Sequence, residues 1–287
     1  MPGTSPSMGE FSLISKEMST ILLLVQSQVT SANCPSPDFI SWTLAINLLK
    51  PHISVAALHD SLARYPPPQC YTETPSRQKV LKEIMGWIDS CPTQRIMWLN
   101  GPARVGKSPI AQTIAEGCQN SRLAASFFFL RNDPDRDVAH RLFTTLTWQL
   151  AKSIPETHKY IESALQIEPL LPTKSIDVQF DCLIVKVFQN LLRDNPKLRP
   201  EKFLVIIDGL DECATEDQKL FLSLIGNALT CMNIPLRFLI CSRPEAPIRE
   251  TFDMVNMKAI THAIMLGPGN VHPLLSSRSH LTDPSVR

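Results

Sequence analysis

Residues 101–108, with the sequence GPARVGKS, restrict the possible folds of this chain more than any other segment. They match the pattern GxxxxGK[ST] and lie between an apolar run at 95–100 and a stretch of helical spacing at 109–119. In that context the backbone NH groups of a glycine-rich loop and the first turn of the next helix converge and favour an anion. We call residues 101–108 the glycine loop and interpret it as a phosphate-binding segment.

Four apolar runs predict buried strands, and longer stretches of helical spacing alternate with them. The strands are predicted at 95–100, 123–130, 203–207 and 236–241, and the helices at 76–88, 109–119, 138–152, 178–192 and 216–229. Strands that alternate with helices pair in parallel through right-handed crossovers. We therefore predict a three-layer α/β fold with a mostly parallel central sheet.

Single positions of the glycine loop have distinct predicted roles. Lys107 would place a positive charge at the β- and γ-phosphates of a nucleotide, and Ser108 would be a ligand of Mg²⁺. The long side chain of Arg104 could reach the phosphates or point to water, and we favour water. Pro109 lacks the backbone NH that this position normally lends to the phosphates, although a proline fits the first turn of a helix. We therefore expect a preserved fold with weakened nucleotide affinity.

The predicted nucleotide-binding residues are Gly101, Pro102, Ala103, Arg104, Val105, Gly106, Lys107, Ser108 and Pro109.

Two other predicted strands end in charged residues, at the sheet edge where parallel α/β proteins bind ligands. After the run FLVII, Asp208 is predicted to hold Mg²⁺ together with Ser108, and Asp211 or Glu212 to orient an attacking water. Alternatively, Asp211 and Glu212 begin the next helix, where acids favour the helix dipole. Arg243 could read the γ-phosphate, or it could cap a surface loop. The predicted catalytic residues are Asp211, Glu212 and Arg243.

Composition excludes several classes of protein. Hydrophobic residues make up 44% and charged residues 19%, as in a globular chain, and a net charge of +1 gives no reason to expect nucleic-acid binding. The 8 cysteines are scattered singly, which predicts reduced thiols rather than a disulfide or zinc scaffold. No apolar run approaches the roughly 18 residues of a membrane span. We expect a cytoplasmic protein.

Proline-rich and aperiodic segments set the predicted domain boundaries. Pro66-Pro67-Pro68 forms a stiff linker that neither a helix nor a central strand can cross. Residues 1–70 are therefore predicted to be a variable N-terminal segment, partly helical, with this linker. Residues 71–257 form the α/β domain, and residues 258–287, which lose periodicity, a disordered tail.

The ordered motifs WLNGPARVGKS, ASFFFLR, TWQLAKSIP, VIIDGLDEC and RFLICSRPE resemble the NACHT branch of the STAND P-loop NTPases. The chain looks most similar to the fungal NOD-like-receptor proteins whose NTPase is described as nephrocystin-3-like, from about Pro66 to Phe252. The resemblance implies a three-layer P-loop NTPase fold that takes ATP or ADP with Mg²⁺. It implies these roles: Gly101, Gly106, Lys107 and Ser108 as the phosphate and Mg²⁺ loop, Asp208 as the metal acid, Asp211 and Glu212 as an extended acidic cluster, and Arg243 as the sensor.

This sequence also departs from the family pattern. The family usually reads GPAGAGKSAI, so Arg104 and Pro109 are off pattern. Family members continue into helical and winged-helix modules and a repeat array, which this sequence does not show, so we expect a truncated signalling switch with slow or no hydrolysis. Its partners would be nucleotide and either a second copy or a signalling protein. The alternative is a non-catalytic interaction or scaffold module that keeps a degenerate P-loop fold.

Overall fold

The computed structural model describes residues 45–64, 75–90, 93–137, 139–196, 203–232 and 234–267. Contacts between residues divide the chain between Leu44 and Ala45, so all of these residues belong to the second unit. The predicted proline linker at 66–68 and residues 268–287 lie outside the described residues.

A five-stranded sheet in which every neighbouring pair is parallel forms the centre of this unit. The strands are β1 (Ile96–Asn100), β2 (Leu123–Phe128), β3 (Phe203–Asp208), β4 (Leu236–Ser242) and β5 (Thr261–Met265), in the spatial order β2-β3-β4-β1-β5. The helices are α1 (Pro75–Asp89), α2 (Lys107–Cys118), α3 (Leu142–Ser153), α4 (His158–Ile167), α5 (Ile176–Phe180), α6 (Lys186–Asp194), α7 (Thr215–Thr230), α8 (Ala246–Asp253) and α9 (Val255–Ile260). The predicted α/β fold with a parallel sheet is confirmed.

Helix α2 fixes the relation between the glycine loop and the rest of the sheet. It connects β1 to β2, and since β4 and β3 lie between these strands, the helix crosses both of them. Its apolar positions Ile110, Ala111, Ile114 and Ala115 are buried and follow helical spacing. Burying a side chain the size of Ile110 contributes about 1.5 to 3 kcal/mol. The start of α2 is thereby held at the carboxyl edge of the sheet.

The predicted disordered tail is wrong for residues 258–267. Helix α9 extends to Ile260, and β5 pairs with β1 along its whole length, from Ile96 opposite Thr261 to Asn100 opposite Met265. An edge strand needs few apolar residues because much of it faces solvent, and within β5 Ile264 alone is buried. The sequence THAIM therefore lacks the continuous apolar run by which the other strands were predicted.

The predicted domain boundary near residue 70 lies too late in the chain. Residues 45–64, which include a helical stretch at 45–49 and three short 3-10 turns, pack against β2 and α3. The backbone NH of Ser54 donates to Thr145 Oγ1 at 2.9 Å, and Thr144 Oγ1 donates to the carbonyl oxygen of His52 at 2.7 Å. These bonds join residues about 90 positions apart, which local sequence patterns do not reveal.

Two further findings concern membrane-spanning helices and the cysteine thiols. No helix in the described ranges is both long and apolar enough to cross a membrane. The five cysteines described are free thiols. Burial raises the pKa of the Cys213 thiol to about 12, so this thiol stays protonated at neutral pH.

Candidate functional site

The glycine loop turns sharply between β1 and α2, and Gly106 makes the turn possible. Gly106 caps α2 with φ of 88°, in the left-handed region that favours glycine. A Cβ at this position would also collide with the guanidinium of Arg77. That guanidinium, on α1, donates to the carbonyl oxygen of Val105 and, at 3.3 Å, to that of Gly106. Arg77 therefore satisfies two carbonyl oxygens of the loop and ties the loop to α1.

Lys107 supplies a positive charge at the start of α2. Its Nζ donates to the carbonyl oxygens of Gly101 at 2.8 Å and Pro102 at 2.9 Å. Burial lowers the pKa of Lys107, while the negative charges of Asp211 and Asp208 act in the opposite direction. Because the bonded partners are neutral carbonyl groups, the ammonium keeps a net charge that an anion can compensate.

Ser108 and Asp208 meet at the end of β3. The Ser108 hydroxyl is hydrogen-bonded to the Asp208 carboxylate, which is only 4% exposed. Burial raises the pKa of Asp208 to about 6, against the opposing effects of the Ser108 hydrogen bond and the charges of Arg64 and Lys107. Hydroxyl and carboxylate oxygens are the hard ligands that Mg²⁺ takes from proteins, usually one or two together with phosphate oxygens. The two side chains thus fit a magnesium ion that also binds phosphate.

No group of three or more His, Cys, Asp or Glu residues that could hold a metal occurs within the described ranges. A cation beside Ser108 and Asp208 would therefore take its remaining ligands from water or from a bound molecule.

Asp211 and Arg243 form an ion pair across the ends of β3 and β4. The backbone NH of Arg243 donates to Asp211 Oδ1 at 2.8 Å, and Arg243 Nε donates to Oδ2 at 2.6 Å. A second carboxylate, that of Glu245, lies 3.2 Å from Arg243 Nη2. The hydrogen bond with Asp211 raises the pKa of Arg243. Since both carboxylate oxygens are engaged, Asp211 positions Arg243 and is poorly placed to orient a water molecule.

Glu212 has a different environment from Asp211. Its Oε2 accepts a hydrogen bond from the backbone NH of Arg131 at 2.8 Å, and Arg131 Nη2 donates to the Asp211 carbonyl oxygen at 2.9 Å. Asp211 and Glu212 belong to a short 3-10 turn, Leu210–Glu212, and the next helix begins only at Thr215. The interpretation that they begin this helix is wrong, because the extended backbone at Cys213 and Ala214, with ψ of 172° and 144°, separates the turn from the helix.

The other loop residues divide by exposure. Pro102, Ala103 and Arg104 are exposed, whereas Val105 is buried and anchors the loop in the core. In the absence of a nucleotide the side chain of Arg104 is exposed to solvent. Arg104 also has φ of 63°, a left-handed conformation that is uncommon for a residue with a side chain. This explains why glycine suits position 104 in the family pattern.

Arg104→Gly should stabilise the protein by about 1 kcal/mol, since the left-handed conformation costs a non-glycine residue roughly that amount. Thermal unfolding without nucleotide measures the change, which corresponds to about 2 to 4 °C in Tm for a domain of this size. The matched control is Ala103→Gly in the same loop, where φ is not positive and glycine should slightly destabilise. An equal Tm change in both variants would contradict the prediction.

Sequence patterns did not predict that three further arginines lie near the site. Arg77 lies in the first turn of α1, but nothing in the sequence distinguishes a buried arginine from a solvated one. Arg131 follows the apolar run of β2, which is a usable signal because strand ends approach the ligand edge. Arg64 lies in a segment that was assigned to a separate domain.

The fold and the site together define the class of this protein. It is an α/β protein with an all-parallel sheet, whose glycine loop, acidic strand end and arginine share one edge. The family described as "Nephrocystin 3, N-terminal" matches residues 77–243. This is more than half of the chain, which therefore belongs to that family. No curated protein matches the chain.

Proposed function

We propose that this chain is a NACHT-type signalling domain that binds ATP or ADP with Mg²⁺ and hydrolyses ATP slowly or not at all. Its nucleotide state would control self-association or contact with a signalling protein. One observation carries the proposal: the Lys107 ammonium, the Ser108–Asp208 pair and the Arg243–Asp211 pair converge at the carboxyl edge of the sheet. They supply the kinds of group that a magnesium-bound phosphate chain requires: a cation for phosphate oxygens, oxygen ligands for the metal and an arginine for the terminal phosphate.

The residues of the loop would act as follows. Backbone NH groups between Gly101 and Ser108 would hold the phosphates, and Lys107 would exchange its two carbonyl partners for phosphate oxygens. Ser108 and Asp208 would hold Mg²⁺, which supplies charge neutralisation on the phosphates. Binding would lower the pKa of Asp208, because a cation favours the ionised carboxylate.

Hydrolysis depends on which carboxylate can orient water. Asp211 is buried and holds Arg243, so Glu212, which is half-buried, is the better candidate. The Oε2 atom of Glu212 already accepts a hydrogen bond from the Arg131 NH, so only the other carboxylate oxygen is left to orient a water molecule. Slow turnover, as suits a timing device, is the expected consequence.

One observation favours the alternative of a non-catalytic scaffold. Pro109 is the third residue of α2, and the first intrahelical bond is donated by Ile110 to the Gly106 carbonyl. A residue with an NH at position 109 would therefore have it available for a phosphate, and proline has none. A scaffold module would bind nucleotide only as weakly and non-specifically as an ordinary protein surface does.

Titration of the purified chain with labelled ATP, ADP and GTP, with and without Mg²⁺, separates the two functions. A nucleotide-binding domain should show saturable binding that strengthens with Mg²⁺ for the triphosphate. The proposal fails if none of the three nucleotides binds saturably.

Pro109→Ala should strengthen nucleotide binding roughly tenfold or more, since a hydrogen bond to a charged group is worth about 1.5 to 3 kcal/mol. Calorimetry with ATP and Mg²⁺ measures it. Pro247→Ala is a matched control: Pro247 also lies in the first turn of a helix, and a threonine four residues later donates to its carbonyl oxygen at 2.9 Å, as Thr113 does to that of Pro109. If both variants gain equally, or neither gains, the NH at 109 does not face phosphate.

Arg243→Gln should compress the ratio of ATP to ADP affinity, because Arg243 is expected to contact the third phosphate. Asp211→Asn should compress it in the same direction, since the Asp211 carboxylate holds the guanidinium. The double variant should then show little further change, as expected for two residues that act together. If the free-energy changes in the ATP-to-ADP affinity ratio of the two single variants add up to the change in the double variant, Arg243 and Asp211 act independently.

A further inference from the structure

Arg64 reaches the candidate site from outside the α/β core. It ends the segment 45–64, in the short 3-10 turn Leu62–Arg64, and its side chain lies against α2 and β2. The guanidinium carbon is 3.7 Å from the centre of the Phe128 ring, and Nε donates to Gln112 Oε1 at 3.1 Å. Gln112 is itself held, because its Nε2 donates to the His59 carbonyl oxygen at 2.9 Å. Stacking and hydrogen bonding thus fix the plane of the guanidinium.

The fixed guanidinium has an unused donor. Its Nη2 is fully buried and has no hydrogen-bond partner among the described residues. Leaving a buried donor of a charged group without a hydrogen bond costs free energy, so such atoms normally have a hydrogen-bond partner. The rest of the guanidinium is held by the Phe128 ring and by Gln112.

Two neighbours place this donor beside the magnesium ligands. Phe128 is the register partner of Asp208 on the adjacent strand, and paired strands lie about 4.8 Å apart. Gln112 follows Ser108 by four residues, so both lie on one face of α2. Burial lowers the pKa of Arg64, and the negative charge of Asp208 opposes that effect.

The end of β3 therefore has an arginine on each side. Arg243 approaches from β4, and Arg64 approaches from β2. The glycine loop and Lys107 account for the first phosphates of a nucleotide, whereas a third phosphate would extend toward the end of β3. Of the two arginines, Arg243 is engaged by carboxylates, and Arg64 has a buried donor to offer.

We propose that Arg64 binds the terminal phosphate of a nucleoside triphosphate, so that the segment 45–64 reads the nucleotide state of the site. The proposal rests on the nucleotide-binding function proposed above. It adds a specificity residue that is contributed by the segment preceding the α/β core. It also implies that residues 45–64 would be held more firmly when the triphosphate is bound.

The test compares Arg64→Gln with wild type, using a non-hydrolysable ATP analogue and ADP, both with Mg²⁺. Glutamine loses the guanidinium charge, and we expect the affinity for the ATP analogue to fall roughly tenfold to a hundredfold with little change for ADP. Arg64→Lys should recover part of the loss, because it restores the charge without the fork of donors. Arg122→Gln is the control: Arg122 pairs with Asp89 at 3.2 Å, and removing that exposed pair should leave both affinities unchanged.

The possible outcomes separate the proposed nucleotide-binding function from the proposed role of Arg64. If wild type binds neither nucleotide, the proposed function itself fails. If wild type binds both and Arg64→Gln weakens both equally, Arg64 serves only as a counter-ion of Asp208 and this proposal is wrong, while the function stands. Unchanged affinities in Arg64→Gln also overturn it.

Hydrogen exchange of the wild-type chain tests the same claim without a variant, in case Arg64→Gln does not fold. The backbone of residues 59–64 should exchange more slowly with the ATP analogue than with ADP. Equal protection by the two nucleotides would overturn the proposal.

Discussion

Lys107→Ala is expected to abolish useful nucleotide binding, weakening the affinity for ATP by more than about a hundredfold. The Lys107 ammonium is the loop charge that lies at the start of α2, and in this structure its Nζ is bonded to the neutral carbonyl oxygens of Gly101 and Pro102. Phosphate would replace these partners with charge-assisted hydrogen bonds, which are about twice as strong as neutral ones. Without Lys107 the loop retains its NH groups, the dipole of α2 and the exposed guanidinium of Arg104.

Calorimetry or a fluorescence titration with ATP and Mg²⁺ measures this loss. Lys219→Ala is a suitable control because Lys219 pairs with Glu250 at 3.7 Å on the surface of α7 and α8. Both variants should remain folded by circular dichroism. Equal ATP affinity in wild type and Lys107→Ala would exclude the glycine loop as the phosphate site.

Asp208→Asn is expected to stabilise the nucleotide-free protein while removing its response to Mg²⁺. Burial raises the pKa of Asp208 from 3.8 to about 6, which corresponds to a cost of about 3 kcal/mol for keeping the carboxylate ionised in the folded protein. Asparagine fills the same volume without the charge. The free energy of unfolding should therefore rise by up to about 3 kcal/mol at pH 8, and Mg²⁺ should no longer strengthen ATP binding.

The stabilisation should depend on pH in a definite direction. A carboxyl whose pKa is higher in the folded state binds its proton more tightly there than in the unfolded chain. The wild type therefore loses stability relative to Asp208→Asn as the pH rises from about 4 through 6, and the difference levels off above that range. Denaturant titrations in EDTA at pH 4.5 and pH 8 measure this difference, and the exposed Asp253→Asn provides the control. A difference that is the same at both pH values would contradict the assigned pKa.

Local sequence patterns predicted the elements that depend on near neighbours. The strands that became β1 to β4 are continuous apolar runs, because strands buried on both faces need no polar positions. Helix α2 follows from its spacing, and the tight loop before it follows from Gly106. The strand β5 escaped prediction because its position at the sheet edge leaves most of it polar or exposed.

The sequence by itself determined the parallel α/β architecture and the chemistry of the loop, since each depends on residues within a few positions of one another. Only the tertiary structure decided how the charged groups pair. The Arg243–Asp211 bond joins residues 32 apart, and the Arg64–Gln112 bond joins residues 48 apart. Such contacts depend on strand order and on the register of segments that meet only after folding, so no local pattern records that Asp211 holds an arginine or that Arg64 lies beside Asp208.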